Sequence, residues 1–294
     1  MRSLSRLSLA VAGLLAFATV AAAGPGAPTT RTVYVTITDE KNVPIPDLTP
    51  ADFVVKEAGK EREIVKVEPA SAKIRLSLGV EERLIADTQL RMGLFDFMKA
   101  IIDKAEIRLV TIGLRNTTAV DYTSSLETLL GALNKFALNP AKESAIAEGV
   151  LEMAREFIDQ KAERPVMVVV CLSGGQAGTD ARNVLDKLRD SRATMFVAAW
   201  LGGAAGPAGV GSLADLSGRD QVIGDGPKQS GGRRTDFSGT AAVSKTLLQF
   251  ANDLQSQYAI TYTLPDGVKP DRRFGVTVKR RGVSVRAPTA ISDR

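Results

Sequence analysis

RPVMVVVCLSGGQ, residues 164–176, decides how the rest of the chain is read. Its first half, VMVVVC, is an unbroken apolar run with a β-branched majority. A run of this kind is a strand buried on both faces, because a strand with one wet face alternates instead. Leu172-Ser173-Gly174-Gly175-Gln176 therefore stands at the carboxyl end of a central strand.

Outward from that strand, strand and helix patterns alternate over about 72–255. IRLSL (74–78) precedes an amphipathic helix expected over Thr88–Ala105, and EIRLVTIGL is the next strand. Ser124 followed by Glu127 gives a capping-box pattern for a helix through Phe136. Glu143–Gln160 places Ile146, Val150, Met153, Ala154 and Phe157 on one helical face. Asp180–Arg192 is another helix, ATMFVAAWLG another strand, and VSKTLLQFANDLQSQ a last helix. Gly202–Phe237 is glycine-rich and reads as two mobile loops flanking a short helix near Leu213–Leu216. The alternation predicts an α/β fold with a doubly wound, mostly parallel sheet. In such sheets ligands sit at the carboxyl ends of the strands, here the loops after Leu78, Leu114, Leu172 and Leu201.

The two ends of the chain read differently. TVYVTIT, the hairpin FVVKEAGKEREIVKVE, QYAITYTL, RFGVTVKRR and GVSVRA are short strands. Fewer than 40 residues bury no useful core alone, so residues 31–71 and 256–288 are expected to pair into one small β-sandwich carrying the α/β unit as an insertion. Residues 289–294 are a tail. Residues 1–23 read as a signal peptide: Arg2 and Arg6, an apolar stretch, then Ala21-Ala22-Ala23, with 24–30 as a linker. The alternative is an uncleaved N-terminal anchor. The expected location is periplasmic or secreted, with no membrane span after cleavage.

Composition removes whole classes of chemistry. The chain has no histidine and one cysteine, so no Ser-His-Asp or Cys-His site and no structural zinc site can be built. Cys171 lies inside the apolar strand and reads as an inert buried thiol. The net charge of +5 falls by two when Arg2 and Arg6 leave, too little for nucleic acid. LSGGQ is also the string that ABC-type ATPases show to a γ-phosphate. It needs a G-x-x-x-x-G-K-[ST] cradle, and the one Gly-Lys pair, Gly59-Lys60, lacks it, so no ATP site is expected.

VYVTITDEKNVPIPDLTPADFVVKEAGKEREI, RPVMVVVCLSGGQ and LLQFANDLQSQYAITYTLPDGVKPDRRFGVTVKRRGVSVRA together resemble secreted bacterial proteins with a von Willebrand factor type A domain. The resemblance implies a metal-ion-dependent adhesion site: D-x-S-x-S after the first strand, a threonine from a later loop, and an aspartate after the central strand. Mg²⁺ takes octahedral oxygen ligands, and a partner's acidic group completes its shell. Against that pattern, Ser173-Gly174 resembles the family's Ser-Asp with the aspartate lost, and Gly79, Glu81 and Arg83 fall near the D-x-S-x-S positions. At the threonine loop Ser144 offers a hydroxyl and Lys142 a positive charge.

The resemblance thus implies a degenerate, metal-free, non-enzymatic interaction module recognising a protein partner. Its loops would carry Gly79, Glu81, Arg83, Lys142, Ser144, Ser173 and Gly174, with Arg233 and Arg234 in the glycine-rich loop. Two alternatives stay open. One is a metal site of non-family arrangement using Asp87, Asp121 and Ser144; the other is a carboxylate-dependent envelope hydrolase pairing Glu81, Glu82 or Asp87 with Asp121. Asp121-Tyr122-Thr123-Ser124-Ser125 matches D-x-[ST]-x-S literally but reads as a helix-capping turn. Arg272-Arg273 and Lys279-Arg280-Arg281 read as charge protecting a sheet edge, with an anionic envelope polymer as the alternative. Trp200 reads as core.

Overall fold

The computed structural model describes residues 29–135, 145–172, 180–201, 213–239, 241–265, 267–268 and 270–292, with residues 213–217 described as backbone. The N-terminal segment, residues 136–144 with Lys142 and Ser144, and residues 173–179 with Ser173 and Gly174 lie outside the described residues.

In chain order the elements are β1 (Thr29–Asp39), β2 (Phe53–Glu57), β3 (Lys60–Arg62), β4 (Ile64–Pro69), β5 (Ile74–Glu81), α1 (Thr88–Ile101) and β6 (Ala105–Ile112). There follow β7 (Thr117–Thr123), α2 (Leu126–Lys135), α3 (Ile146–Asp159), β8 (Pro165–Leu172), α4 (Ala181–Ser191) and β9 (Thr194–Trp200). The remainder is α5 (Leu213–Gln229), β10 (Arg233–Phe237), α6 (Ala242–Gln255), β11 (Tyr258–Leu264), β12 (Phe274–Val278) and β13 (Val283–Arg286).

The six-stranded sheet runs β10-β9-β8-β5-β6-β7, parallel except for β7. Alternation along β8 feeds both of its faces. Val166, Val168 and Val170 join the cluster under α1, α2 and α6, while Met167, Val169 and Cys171 join the one under α3, α4 and α5. The uniform apolarity of that strand thus reflects two cores rather than one.

The glycine-rich region is more regular than its composition suggests. α5 extends to Gln229 through Gly224, Gly226 and Pro227, and residues 233–237 are an edge strand rather than a loop. A Cβ on Gly226 would stand 2.7 Å from Met195 Sδ and 3.2 Å from Leu188 Cδ2. The glycine is therefore a packing requirement of a helix pressed on its neighbours, although in sequence it reads as a turn.

Both ends of the chain form the remaining sheets, β13-β1-β11-β4 and β12-β2-β3. They share one apolar cluster that includes Val33, Val35, Ile37, Phe53, Val55, Ile260, Tyr262 and Phe274. Rings meet across it, Phe53 with Tyr258 and Tyr262 with Phe274, each pair at 5.7 Å between centroids. The Tyr258 hydroxyl donates to Ile45 O (2.6 Å) and accepts from Leu48 N (3.2 Å), so the connection after β1 is fixed too.

Arg164, the first residue of the stretch that opens the reading, joins these sheets to the α/β unit. Its guanidinium donates to Leu254 O (2.6 Å), Gln257 Oε1 (3.0 Å), Ala72 O (3.1 Å) and Ala70 O (3.3 Å) and lies 5.1 Å from the Tyr34 ring centroid. Burial pulls its pKa down to about 10.

Candidate functional site

The first strand is longer than IRLSL. It runs to Glu81, and Gly79 is an interior, buried strand residue rather than part of a loop. A Cβ there would stand 2.8 Å from Ile112 Cδ1 and 3.0 Å from Met153 Cε, so the position is set by packing. The second strand likewise ends at Ile112, two residues before Leu114.

Strand parity then aims Glu81. Ile74, Leu76, Leu78 and Val80 face the α1/α6 side, so Ser77, Gly79 and Glu81 face α3 and α5. The Glu81 side chain is 0% exposed. Its Oε2 accepts the backbone N–H of Leu172 at 2.7 Å, at the end of β8. Its Oε1 receives Arg83, Nε at 2.7 Å and Nη2 at 2.5 Å, from the 3-10 turn Glu82–Leu84 that follows the strand. Arg219 of α5, also 0% exposed, places Nη2 3.7 Å from Oε2 and donates to Leu172 O.

One buried carboxylate is thus held by two guanidinium groups and a backbone N–H at the carboxyl ends of the two central strands. Arg83 keeps 28% of its side chain exposed and so reaches both the carboxylate and the surface.

The sequence reading missed Arg219 because it ended the helix near Leu216. The signal was its spacing, three and four residues before the buried Val222 and Ile223, which puts it on the apolar stripe of a longer helix.

The other candidates scatter. Asp87 caps α1, accepting from Leu90 N at 2.9 Å. Asp121 lies in β7, whose antiparallel course returns it toward the amino end of the sheet: Thr123 pairs with Ile107, and Ser124 donates to Ala105 O while accepting from Lys73. Asp87 thus lies past the carboxyl end of β5 and Asp121 beside the middle of β6, and among the described residues no metal-holding group joins them. The cap of α2 is Ser125, which accepts from Thr128 N at 3.2 Å, rather than Ser124. Among the described residues, no three of His, Cys, Asp and Glu are grouped to hold a metal ion.

Arg233 and Arg234 lie on β10. Arg233 pairs at 3.3 Å with the buried Asp253 and donates to Asn42 Oδ1, and Arg234 pairs with Asp236 at 2.8 Å. Asp253 also holds Arg286 at 2.8 Å. In the basic C-terminal strands, Arg273 pairs with Asp271, Arg280 with Asp47, and Lys279 donates to Ala51 O. Trp200 is half-buried against the α1/α6 core and donates to Ser238 O at 3.4 Å. Burial pushes the Cys171 thiol up to about 12. Among the described residues, no helix is long and apolar enough to cross a membrane.

No protein-family model matches the chain, and no curated protein matches it in sequence. Solved structures similar to it include proximal thread matrix protein 1 from the mussel byssus, with 12% identity over 64% of this chain and a TM-score of 0.48. This chain spans 49% of that protein's length. An aerotolerance-related membrane protein from Bacteroides fragilis has 12% identity, with 61% of this chain and 98% of that one covered and a TM-score of 0.42. A von Willebrand factor type A protein from Catenulispora acidiphila has 10% identity, with 92% and 75% covered and a TM-score of 0.44. The solved structures similar to this chain therefore include von Willebrand factor type A proteins, while the fold itself stands on the strand order and register given above.

Proposed function

We propose that this chain is an exported, non-enzymatic protein-interaction module, a von Willebrand A-like unit carried on a β-sandwich made from both chain ends, that recognises its partner without a divalent cation. The observation that carries the reading is the Arg83–Glu81–Arg219 cluster at the carboxyl end of the first strand of the sheet. The sequence resemblance places the family's metal ligands at this end. Here a carboxylate that could serve a cation is buried and held by two guanidinium groups. A hard cation needs several preplaced, accessible oxygens, and Glu81 offers none. Export rests on the composition of residues 1–23. The absence of an enzymatic role is inferred from the missing histidine and from the different places of the two acids, Asp87 capping α1 and Asp121 beside the middle of β6.

Calorimetric titration of Mg²⁺, Mn²⁺ and Ca²⁺ into the chain from Gly24 onward tests the reading, with thermal unfolding alongside. No saturable heat and no Tm shift at millimolar metal are expected. One-site saturable binding abolished by Glu81→Gln would overturn it.

A further inference from the structure

A cleft of about 690 Å³ lies away from the carboxyl-end face. One wall is β1, from Thr29 through Tyr34; the other is α4 with the turn 161–163 and the start of β9. Consecutive strand residues point to opposite faces, so a cleft that touches six in a row reaches the edge of the strand, and Tyr262 and Leu264 of β11 extend it onto one face of the sheet.

That edge is open. β11 pairs with Thr29–Val35 on one side of β1, but on the other side β13 pairs only with Thr36–Asp39. β13 then departs, and Pro288 meets Ser230 instead. Among the described residues, no strand covers the outer edge of Thr29–Val35. Thr29, Thr30 and Thr32 are exposed. In an antiparallel ladder alternate residues turn N–H and C=O away from their partner, so this stretch of about 20 Å presents a row of backbone donors and acceptors to the cleft.

The facing wall supplies the rest of a peptide site. Leu185 and Leu188 give it an apolar floor, and Lys161, Arg189 and Arg192 make it basic against the single acid Glu163. Arg189 holds Asp186 through Nη2, while its buried Nε has no hydrogen-bond partner among the described residues.

We infer that this cleft binds an extended segment of a partner protein, which adds as a strand to the outer edge of β1 and sets an acidic side chain against Lys161 and Arg189. The site is independent of the metal-free face proposed above and lies toward the opposite end of the sheet, where β8 and β9 begin.

The probe is a fluorescein-labelled peptide, Gly-Glu-Val-Thr-Val-Glu-Val-Gly, and its counterpart with lysine for glutamate, titrated into the chain and read by fluorescence anisotropy and by backbone hydrogen exchange. The acidic peptide is expected to bind saturably, at least tenfold tighter than the basic one. Exchange across residues 29–34 should slow on binding, and Arg189→Glu should weaken it at least tenfold. Should Arg189→Glu fail to fold, Lys161→Glu at an exposed turn position carries the same test with a severalfold loss. Absence of binding at millimolar peptide would overturn the inference, as would binding that leaves exchange at 29–34 unchanged. Concentration-dependent dimerisation that protects the same residues would assign the edge to a second copy and overturn it equally.

Discussion

The carboxylate of Glu81 accepts the main-chain N–H of Leu172, 91 residues further along the chain, at 2.7 Å. This bond ties the carboxyl end of β5 to that of β8, and Arg83 and Arg219 close around it. Removing one partner of a buried ionic cluster leaves the others charged and unsatisfied, at a cost of about 3–5 kcal/mol. Glu81→Ala should lose that much in urea unfolding. Glu81→Gln, which can still accept from Leu172, should lose less, as should Arg219→Met, which leaves the carboxylate with Arg83.

Arg164→Ala should be among the most damaging single changes. It strands carbonyls of Ala70, Ala72 and Leu254 that the guanidinium now holds. Each unsatisfied buried acceptor costs roughly 1–3 kcal/mol, so a loss of about 3 kcal/mol or more is expected. Proteolysis should then cut first near residues 70–73, where the end sheets join the α/β unit. A variant that unfolds with the parent's midpoint would show that these bonds are replaced by water.

The two β10 arginines should behave unlike one another. Arg233→Ala takes a partner from the buried Asp253 and should lose about 2 kcal/mol, with Arg286 remaining. Arg234→Ala breaks a pair in which both side chains are partly exposed, and should stay within about 0.5 kcal/mol of the parent. Equal effects in chemical denaturation would contradict the edge-strand placement.

Cys171 should not react with thiol reagents in the native state at pH 8. Its folded pKa, about 12, lies above an ordinary value of 9.0 because burial penalises the thiolate. The sign for stability follows from proton binding. Above pH 9 the unfolded chain loses the thiol proton while the folded chain keeps it. The contribution is therefore complete below pH 9 and is lost as pH rises toward about 12, by at most about 1.4 kcal/mol per pH unit. Comparison with Cys171→Ala isolates this slope, which the variant should lack.

Two glycines separate tolerable crowding from intolerable. A Cβ on Gly79 meets the flexible ends of Ile112 and Met153, and Gly79→Ala should cost about 1–3 kcal/mol. A Cβ on Gly232 would overlap the backbone carbonyl of Met195, which cannot swing aside. Gly232→Ala should cost more than Gly79→Ala, displacing β10 from β9, and the ranking is read directly from paired thermal melts.

The sequence by itself determined the parts that rest on local pattern. The apolar run 166–171, the spacing of Ile146, Val150, Met153, Ala154 and Phe157, and the alternation of strand with helix each encode burial at a fixed period, so the α/β sheet was legible. Composition alone removed histidine and disulfide chemistry. Only the tertiary structure decided the rest, because contacts between distant segments leave no local period. Arg219 meets Glu81 across 138 positions of sequence, a salt bridge that neither residue's surroundings announce. The glycines of α5 read as turns until the close approach of Met195 explains one of them. Asp121 matched a ligand motif, yet the reversal of β7 set it beside the middle of β6, away from the carboxyl ends of the strands. The open edge of β1 exists only because β13 stops pairing at Thr36, a fact of register that the strand's own residues do not contain.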